Sequence, residues 1–157
     1  MSANSQEVKK NHTTSLHRFI TNMHIHLYRR TKGVIGARIA GRSLLLLMTI
    51  GRKSGQERTT PLIYLKDGND YILIASYGGA PQDPLWFRNL QENPHVKIQD
   101  GPEVLHVTAR KANPEERARL WPMVTSRIPQ YTDFQTKTTR EIPLVILTPK
   151  TQFEHVA

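Results

Sequence analysis

Leu16, Phe19, Ile20, Met23 and Leu27 recur at the i, i+3, i+4, i+7, i+11 spacing of one helical stripe. The spacing predicts an amphipathic helix over residues 15–32, with Arg18, Asn22, Arg29 and Arg30 largely off the stripe. Two readings of that stripe stay open here: a helix packed on the domain, or a basic helix lying on an anionic membrane. Residues 1–14 are polar and without period, and are expected to form a flexible basic tail. His24 and His26 are two apart and cannot share a helix face, which argues against a metal site there.

Beyond Gly33, Gly36 and Gly41 the period changes to short apolar runs separated by turn signals. Residues 43–50 read as a buried strand and 59–66 as a second, closed by the hairpin turn "DGND". Residues 71–76 form a third, followed by the glycine- and proline-rich loop "YGGAPQDP". A short helix is expected over 84–91, ended by "NP". Residues 95–100 and 103–111 read as strands joined by "DGP". A helix opens at Asn113 with Pro114 and two acids in its first turn, and Pro122 is expected to kink or shorten it. A polar segment over 129–141 precedes a last strand at 142–148. Six short strands with hairpin turns favour an antiparallel barrel with peripheral helices, mainly β.

Composition narrows the chemistry. The 157 residues suggest one domain, with 38% hydrophobic and 22% charged residues marking it as globular. There is no cysteine, so disulfides, zinc thiolates and a cysteine nucleophile are excluded. No run reaches the roughly 18 apolar residues of a membrane span, and no signal core leads the chain. The expectation is a cytoplasmic protein. Its net charge of +9 is asymmetric. Residues 1–60 hold 11 basic and 2 acidic side chains, whereas 61–157 hold 11 of each. The excess points to a negative partner for the first part of the chain, or to a merely solubilising face.

The basic knot "GRKSGQER" at 51–58 lies between two strands. It is not a nucleotide phosphate loop, because no Lys-Ser follows the second glycine and a strand follows where a helix is needed. Its glycines nevertheless let backbone N–H groups approach an anion, and Arg52, Lys53, Ser54 and Arg58 add cationic and hydroxyl donors. A solvated hairpin with charges for solubility is the competing reading. In the second loop, Gly78 and Gly79 expose backbone donors on the same logic, and Trp86 offers a flat apolar surface or core packing. Asp83 reads as a turn residue before Pro84. Aromatic residues are only 7% and do not interleave with the basic ones, which counts against nucleic-acid binding.

Three segments, "LMTIGRKSGQERTTPLIYL", "ILIASYGGAPQDPLWFRNLQENPHVKIQ" and "IPLVIL", in this order and spacing, resemble the deazaflavin-dependent nitroreductase family. The resemblance implies an FMN-binding-like split β-barrel over 43–150 and the coenzyme F420, whose phosphodiester and oligoglutamate tail are strongly anionic. It implies that Arg52, Lys53 and Arg58 hold phosphate and tail, with the Ser54 hydroxyl of the same knot as a further coenzyme-binding candidate, and that Pro61 and Ile63 lie beside the ring. Ser76, Tyr77, Gly78, Gly79 and Ala80 match the loop that wraps the deazaflavin, and Leu85, Trp86 and Asn89 match further contacts. Tyr131 and Ser76 become the catalytic candidates, Tyr131 as proton donor or substrate contact. Ile128 and Phe134 replace tyrosines, and Tyr77 a lysine, of the family's nitroimidazole-reducing pattern. Hydride transfer to a quinone is therefore the family-level expectation, with nitro compounds and activated alkenes as further acceptors. The basic helix would suit a peripheral position on the inner face of the cell membrane. An FMN-type flavoprotein and a non-catalytic anion or lipid binder are the alternatives on the same fold. The oligomeric state is not indicated.

Overall fold

The computed structural model describes the backbone of residues 4–151 and the side chains of residues 15–151. Seven strands and four α-helices follow one another as α1 (Asn4–Arg30), β1 (Arg38–Ile39), β2 (Arg42–Ile50), β3 (Glu57–Asp67), β4 (Asp70–Ile74), α2 (Leu85–Glu92), β5 (His95–Asp100), β6 (Glu103–Lys111), α3 (Pro114–Arg127), α4 (Gln130–Thr136) and β7 (Leu144–Pro149). The sheet order is β1-β2-β3-β4-β7-β6-β5, and β2 also pairs with β5. Six antiparallel strands thus close on themselves, with β1 as a short extra strand on β2. Closure removes most of the free edges that a six-stranded sheet would carry.

The run "LLLLM" is apolar throughout because both faces of β2 are covered. Leu45 and Leu47 point into the barrel interior with Leu73, Ile98, Val107, Val145 and Leu147, under the Trp86, Phe87 and Leu90 face of α2. Leu44 and Leu46 pack outward against Ile25 and Tyr28 of α1. The same period of two divides β4: Leu73 faces the interior, whereas Ile72 and Ile74 pack with Leu120 and Val124 of α3 and Tyr131 of α4.

Several boundaries differ from the pattern-based expectation. The first helix starts at Asn4, so residues 4–14, expected as a flexible tail, continue the same helix, and residues 1–3 lie outside the described residues. The stripe Leu16, Phe19, Ile20, Met23 and Leu27 is exposed. The helix does pack on the barrel, but through Ile25 and the fully buried Tyr28. The Tyr28 hydroxyl lies 3.1 Å from Leu44 O and 3.2 Å from Gln99 O and accepts the Gly101 N–H at 2.7 Å. Pro122 does not end α3. A capping box of Asn113 and Glu116 starts the helix, and the fully buried Leu120 and Val124 anchor it on both sides of the proline. The polar segment over 129–141 holds α4, whose seven residues carry too few apolar positions to show a period.

The barrel is split along β3. β3 pairs with β2 from residue 57 to 63, but with β4 only from Tyr64 to Asp67. Its other edge is therefore unpaired over 57–63, which is where Pro61 sits. A proline has no N–H for a ladder bond and is tolerated at such an edge. No helix among the described residues is long and apolar enough to cross a membrane.

Candidate active site

Two adjoining cavities occupy the split. The first, of about 600 Å³, is mainly apolar and lies between the free edge of β3 and the start of α2. Pro61, Ile63, Ser76, Tyr77, Leu85, Trp86 and Tyr131 line it, together with Ile39, Leu44, Thr60, Leu62, Ile74 and Pro84. The second, of about 520 Å³, is bounded by Gly51, Arg52, Lys53, Ser54, Arg58, Thr59 and Asn89. Thr60, Leu85 and Trp86 belong to both walls, so an apolar chamber adjoins a cationic one.

The cationic chamber is built by the β2–β3 turn. Gly51 N–H donates to Gln56 O and Gly55 N–H to Gly51 O, each at 2.8 Å. A Cβ at position 51 would lie 2.6 Å from Ser54 Oγ and 3.3 Å from Gln56 O, so the serine side chain would have to turn away. Asn89, buried on α2, accepts the Arg52 N–H through Oδ1 and donates to Thr49 Oγ1 through Nδ2, both at 3.2 Å. The helix that carries Trp86 is thereby fixed to the basic turn. Glu57 is the one carboxylate in the turn's sequence, and it is drawn away by Arg29 at 3.8 Å and Lys97 at 3.5 Å. Arg52, Lys53 and Arg58 have no carboxylate partner among the described residues. Three uncompensated cations around a concave wall favour an anion of more than one charge.

Tyr131 and Ser76 are polar side chains in the lining of the apolar chamber. Tyr131 is buried on α4 and packs edge-on against Phe134, with centroids 5.9 Å apart. Burial pushes its phenol above the ordinary value of 10, against a smaller opposing effect of Arg42. The hydroxyl therefore keeps its proton throughout the neutral range. Ser76 is buried at the start of the second loop, and Tyr77 stands exposed with a left-handed φ of 47°.

The resemblance in the sequence is matched by family comparison: residues 20–149 match the model of the F420H(2)-dependent quinone reductases. The chain belongs to that family. An F420H(2)-dependent quinone reductase of Mycobacterium tuberculosis is 44% identical over 133 residues, covering 82% of this chain and 89% of that protein. Among solved structures, an F420-H2 dependent reductase (FDR-A) superposes with a TM-score of 0.61 at 41% identity, covering 66% of this chain and 92% of that one. A second, described as a domain-swapped dimer, gives 0.64 at 35% identity, covering 83% and 97%. Split-barrel topology, oxidoreductase class and dependence on F420 accordingly agree with the sequence reading.

The donor set fits the family's coenzyme. An apolar chamber lined by Pro61, Ile63, Leu85 and the largely buried Trp86 suits a ring, and the uncompensated cations next door suit a phosphodiester and glutamate tail. Of the residues singled out from sequence, Gly78, Gly79 and Ala80 line neither chamber. Gly79 is buried, and its N–H is bonded to Ser76 O at 2.9 Å, so it is not an exposed donor. A Cβ there would meet Phe134 O at 2.6 Å, so that glycine allows the loop to rest on α4. Asp83, expected as a simple turn residue, pairs with Arg140 at 3.0 Å. Arg140 itself was not singled out. It lies in the polar 129–141 segment, where no spacing marks it.

Proposed function

We propose that this chain reduces a quinone with reduced F420, with the ring in the apolar chamber and the anionic tail in the cationic one. The observation that carries this reading is the junction of the two chambers at Thr60, Leu85 and Trp86. When bound, the reduced deazaflavin supplies a hydride from its ring. Arg52, Lys53 and Arg58 bind and orient the tail, Ser54 adds a hydroxyl donor, and Pro61, Leu85 and Trp86 form apolar wall beside the ring. Reduction of a quinone takes up one hydride and one proton. Tyr131 holds a proton at its phenol oxygen in the chamber wall, gives it to the developing quinol oxygen, and recovers it from solvent. The buried Ser76 hydroxyl is a second polar contact for the acceptor.

The quinone is taken from a membrane surface. Supporting this are the exposed apolar residues of α1, with Leu16 60% and Phe19 65% accessible, and the exposed Val34 and Ile35 beyond the helix. Ile39, on the same stretch of chain, lines the apolar chamber. Arg18, Arg29, Arg30 and Lys32 supply the positive charge that an anionic surface attracts.

Two measurements test the reading. Titration with F420 and with FMN should give micromolar or tighter binding of F420 alone. Turnover with reduced F420 should be faster with menaquinone analogues than with nitroimidazoles or unsaturated esters. Binding of FMN in place of F420 would overturn it.

A further inference from the structure

The loop over residues 75–83 leaves β4 and returns to α2 along one side of the apolar chamber. Its backbone passes through three successive positive φ angles, 47° at Tyr77, 65° at Gly78 and 81° at Gly79. Left-handed geometry is unfavourable at a residue with a Cβ and persists only where the surroundings enforce it. Inside the turn, Gly79 N–H donates to Ser76 O at 2.9 Å and Ala80 N–H to Tyr77 O at 3.1 Å. Those two bonds do not explain why the turn lies where it does.

The larger restraint comes from Arg140. Its Nε donates to Ala80 O at 2.8 Å and its Nη2 to Ser76 O at 2.7 Å. Its Nη1 donates to Ala75 O at 3.2 Å and to Asp83 Oδ1 at 3.0 Å. One guanidinium thus grips the loop from its first residue to its last, with its side chain only 15% exposed. Three of the four acceptors are backbone carbonyls of one loop, which an ordinary surface ion pair does not show. A planar fork of fixed donors can meet four acceptors in set directions, and an ammonium cannot.

Arg140 is held in turn by α4. Gln135 Nε2 donates to Arg140 O at 2.8 Å, and Gln135 Oε1 accepts the Ile142 N–H at 2.9 Å. The same helix carries Tyr131 and supports Gly79 through Phe134. Arg140 therefore ties the loop to the element that bears the proton donor and on which the loop rests.

We propose that Arg140, with Asp83 as its counter-charge, is a positioning residue that holds the left-handed loop in its coenzyme-ready shape before the coenzyme binds. The proposal rests on the F420 reading of the chambers. With carbonyls 75, 76 and 80 turned to the guanidinium, the N–H groups of Tyr77 and Gly78 have no partner among the described residues. A loop that is competent only part of the time weakens apparent affinity by that fraction.

The test compares wild type with Arg140→Lys and Asp83→Asn. Amide hydrogen exchange is read at Gly79 and Ala80 in the coenzyme-free protein, with β2 and β7 as internal controls. F420 affinity is read by fluorescence titration. Arg140→Lys should speed exchange at Gly79 and Ala80 at least about tenfold, leave β2 and β7 unchanged, and weaken F420 binding about tenfold. Asp83→Asn, which keeps the side chain's shape, should shift both in the same direction by less. Should Arg140→Lys fail to fold, the isosteric variant carries the test alone. Unchanged exchange in the loop, a uniform rise across the barrel, or loosened exchange with unchanged affinity would each overturn the proposal. If the wild type binds no F420, the coenzyme reading fails, and the exchange measurement still decides whether Arg140 holds the loop.

Discussion

The buried amide of Asn89 accepts the backbone N–H of Arg52 at 3.2 Å, tying the helix that carries Trp86 to the basic turn over residues 51–58. Its Nδ2 also serves Thr49, which is fully buried. Asn89→Leu would leave both the Arg52 N–H and the Thr49 hydroxyl without a partner. We expect a loss of about 1–3 kcal/mol in denaturant unfolding, together with weaker F420 binding, because the turn loses its support. A variant as stable as wild type would show that the amide is not a structural link.

Lys53 offers the contrast. It is exposed on the same turn and pairs with no carboxylate among the described residues. Lys53→Ala should change stability by less than about 0.5 kcal/mol. Coenzyme affinity should fall, and the fall should shrink as salt is raised, since screening already weakens the lost attraction. Equal affinity for the two proteins at low salt would rule out a role in anion binding.

These two residues also mark what the sequence could and could not disclose. The charge of residues 51–58 and the glycines around it are local, so the basic turn was readable as a candidate anion site, although composition could not separate it from a solvated hairpin. The continuous apolar run of β2 signalled burial on both faces. The Arg140 grip was not readable, because it joins residues 57 to 65 positions apart and a single arginine in a polar stretch carries no period. For α1, periodicity located the apolar stripe, but the docking face is set by Tyr28, whose hydroxyl reaches residues 16 to 73 positions away.

Tyr131 carries the proton in the proposed reaction. Tyr131→Phe removes one oxygen from a buried ring and should preserve F420 affinity within about twofold. Turnover with the quinone should drop about 100-fold, the scale of a lost general acid. Because burial raises the phenol above 10, wild-type turnover should show no alkaline limb from this group below about pH 10. An alkaline limb near neutrality that vanishes in Tyr131→Phe would contradict the raised phenol.

A separate acid-dependence belongs to the start of α3. Glu116 receives both Nη groups of Arg110, at 2.6 and 2.7 Å, and the Asn113 N–H at 3.1 Å. The Arg110 guanidinium first, and the Asn113 amide second, lower the Glu116 carboxyl from 4.5 to about 2. A depressed folded-state pKa favours the ionised, folded form. Its contribution is complete above about pH 4.5 and disappears as pH falls towards 2. Glu116→Gln should cost about 1 kcal/mol at pH 7, the size of a capping interaction and well below the full shift, because solvent screens the pair. Thermal unfolding of the two proteins should converge by about pH 2, and a difference that persists there would exclude Glu116 as its source.

The exposed face of α1 separates membrane contact from packing. Deleting residues 1–30 cannot decide between them, because it removes Tyr28, a fully buried side chain whose hydroxyl accepts the Gly101 N–H. That deletion should unfold the barrel whatever the helix binds. Phe19→Glu is the better probe, since Phe19 is 65% exposed and lies outside the Ile25–Tyr28 contact. Its folding free energy should stay within about 0.5 kcal/mol of wild type. Its co-sedimentation with anionic phosphatidylglycerol vesicles should fall at least about tenfold, because a carboxylate replaces a large apolar group at an interface that also repels negative charge. Wild type should bind neutral phosphatidylcholine vesicles more weakly, reflecting Arg18, Arg29, Arg30 and Lys32. Equal sedimentation of wild type and variant with the anionic vesicles would remove α1 from the membrane and leave its apolar stripe without that role.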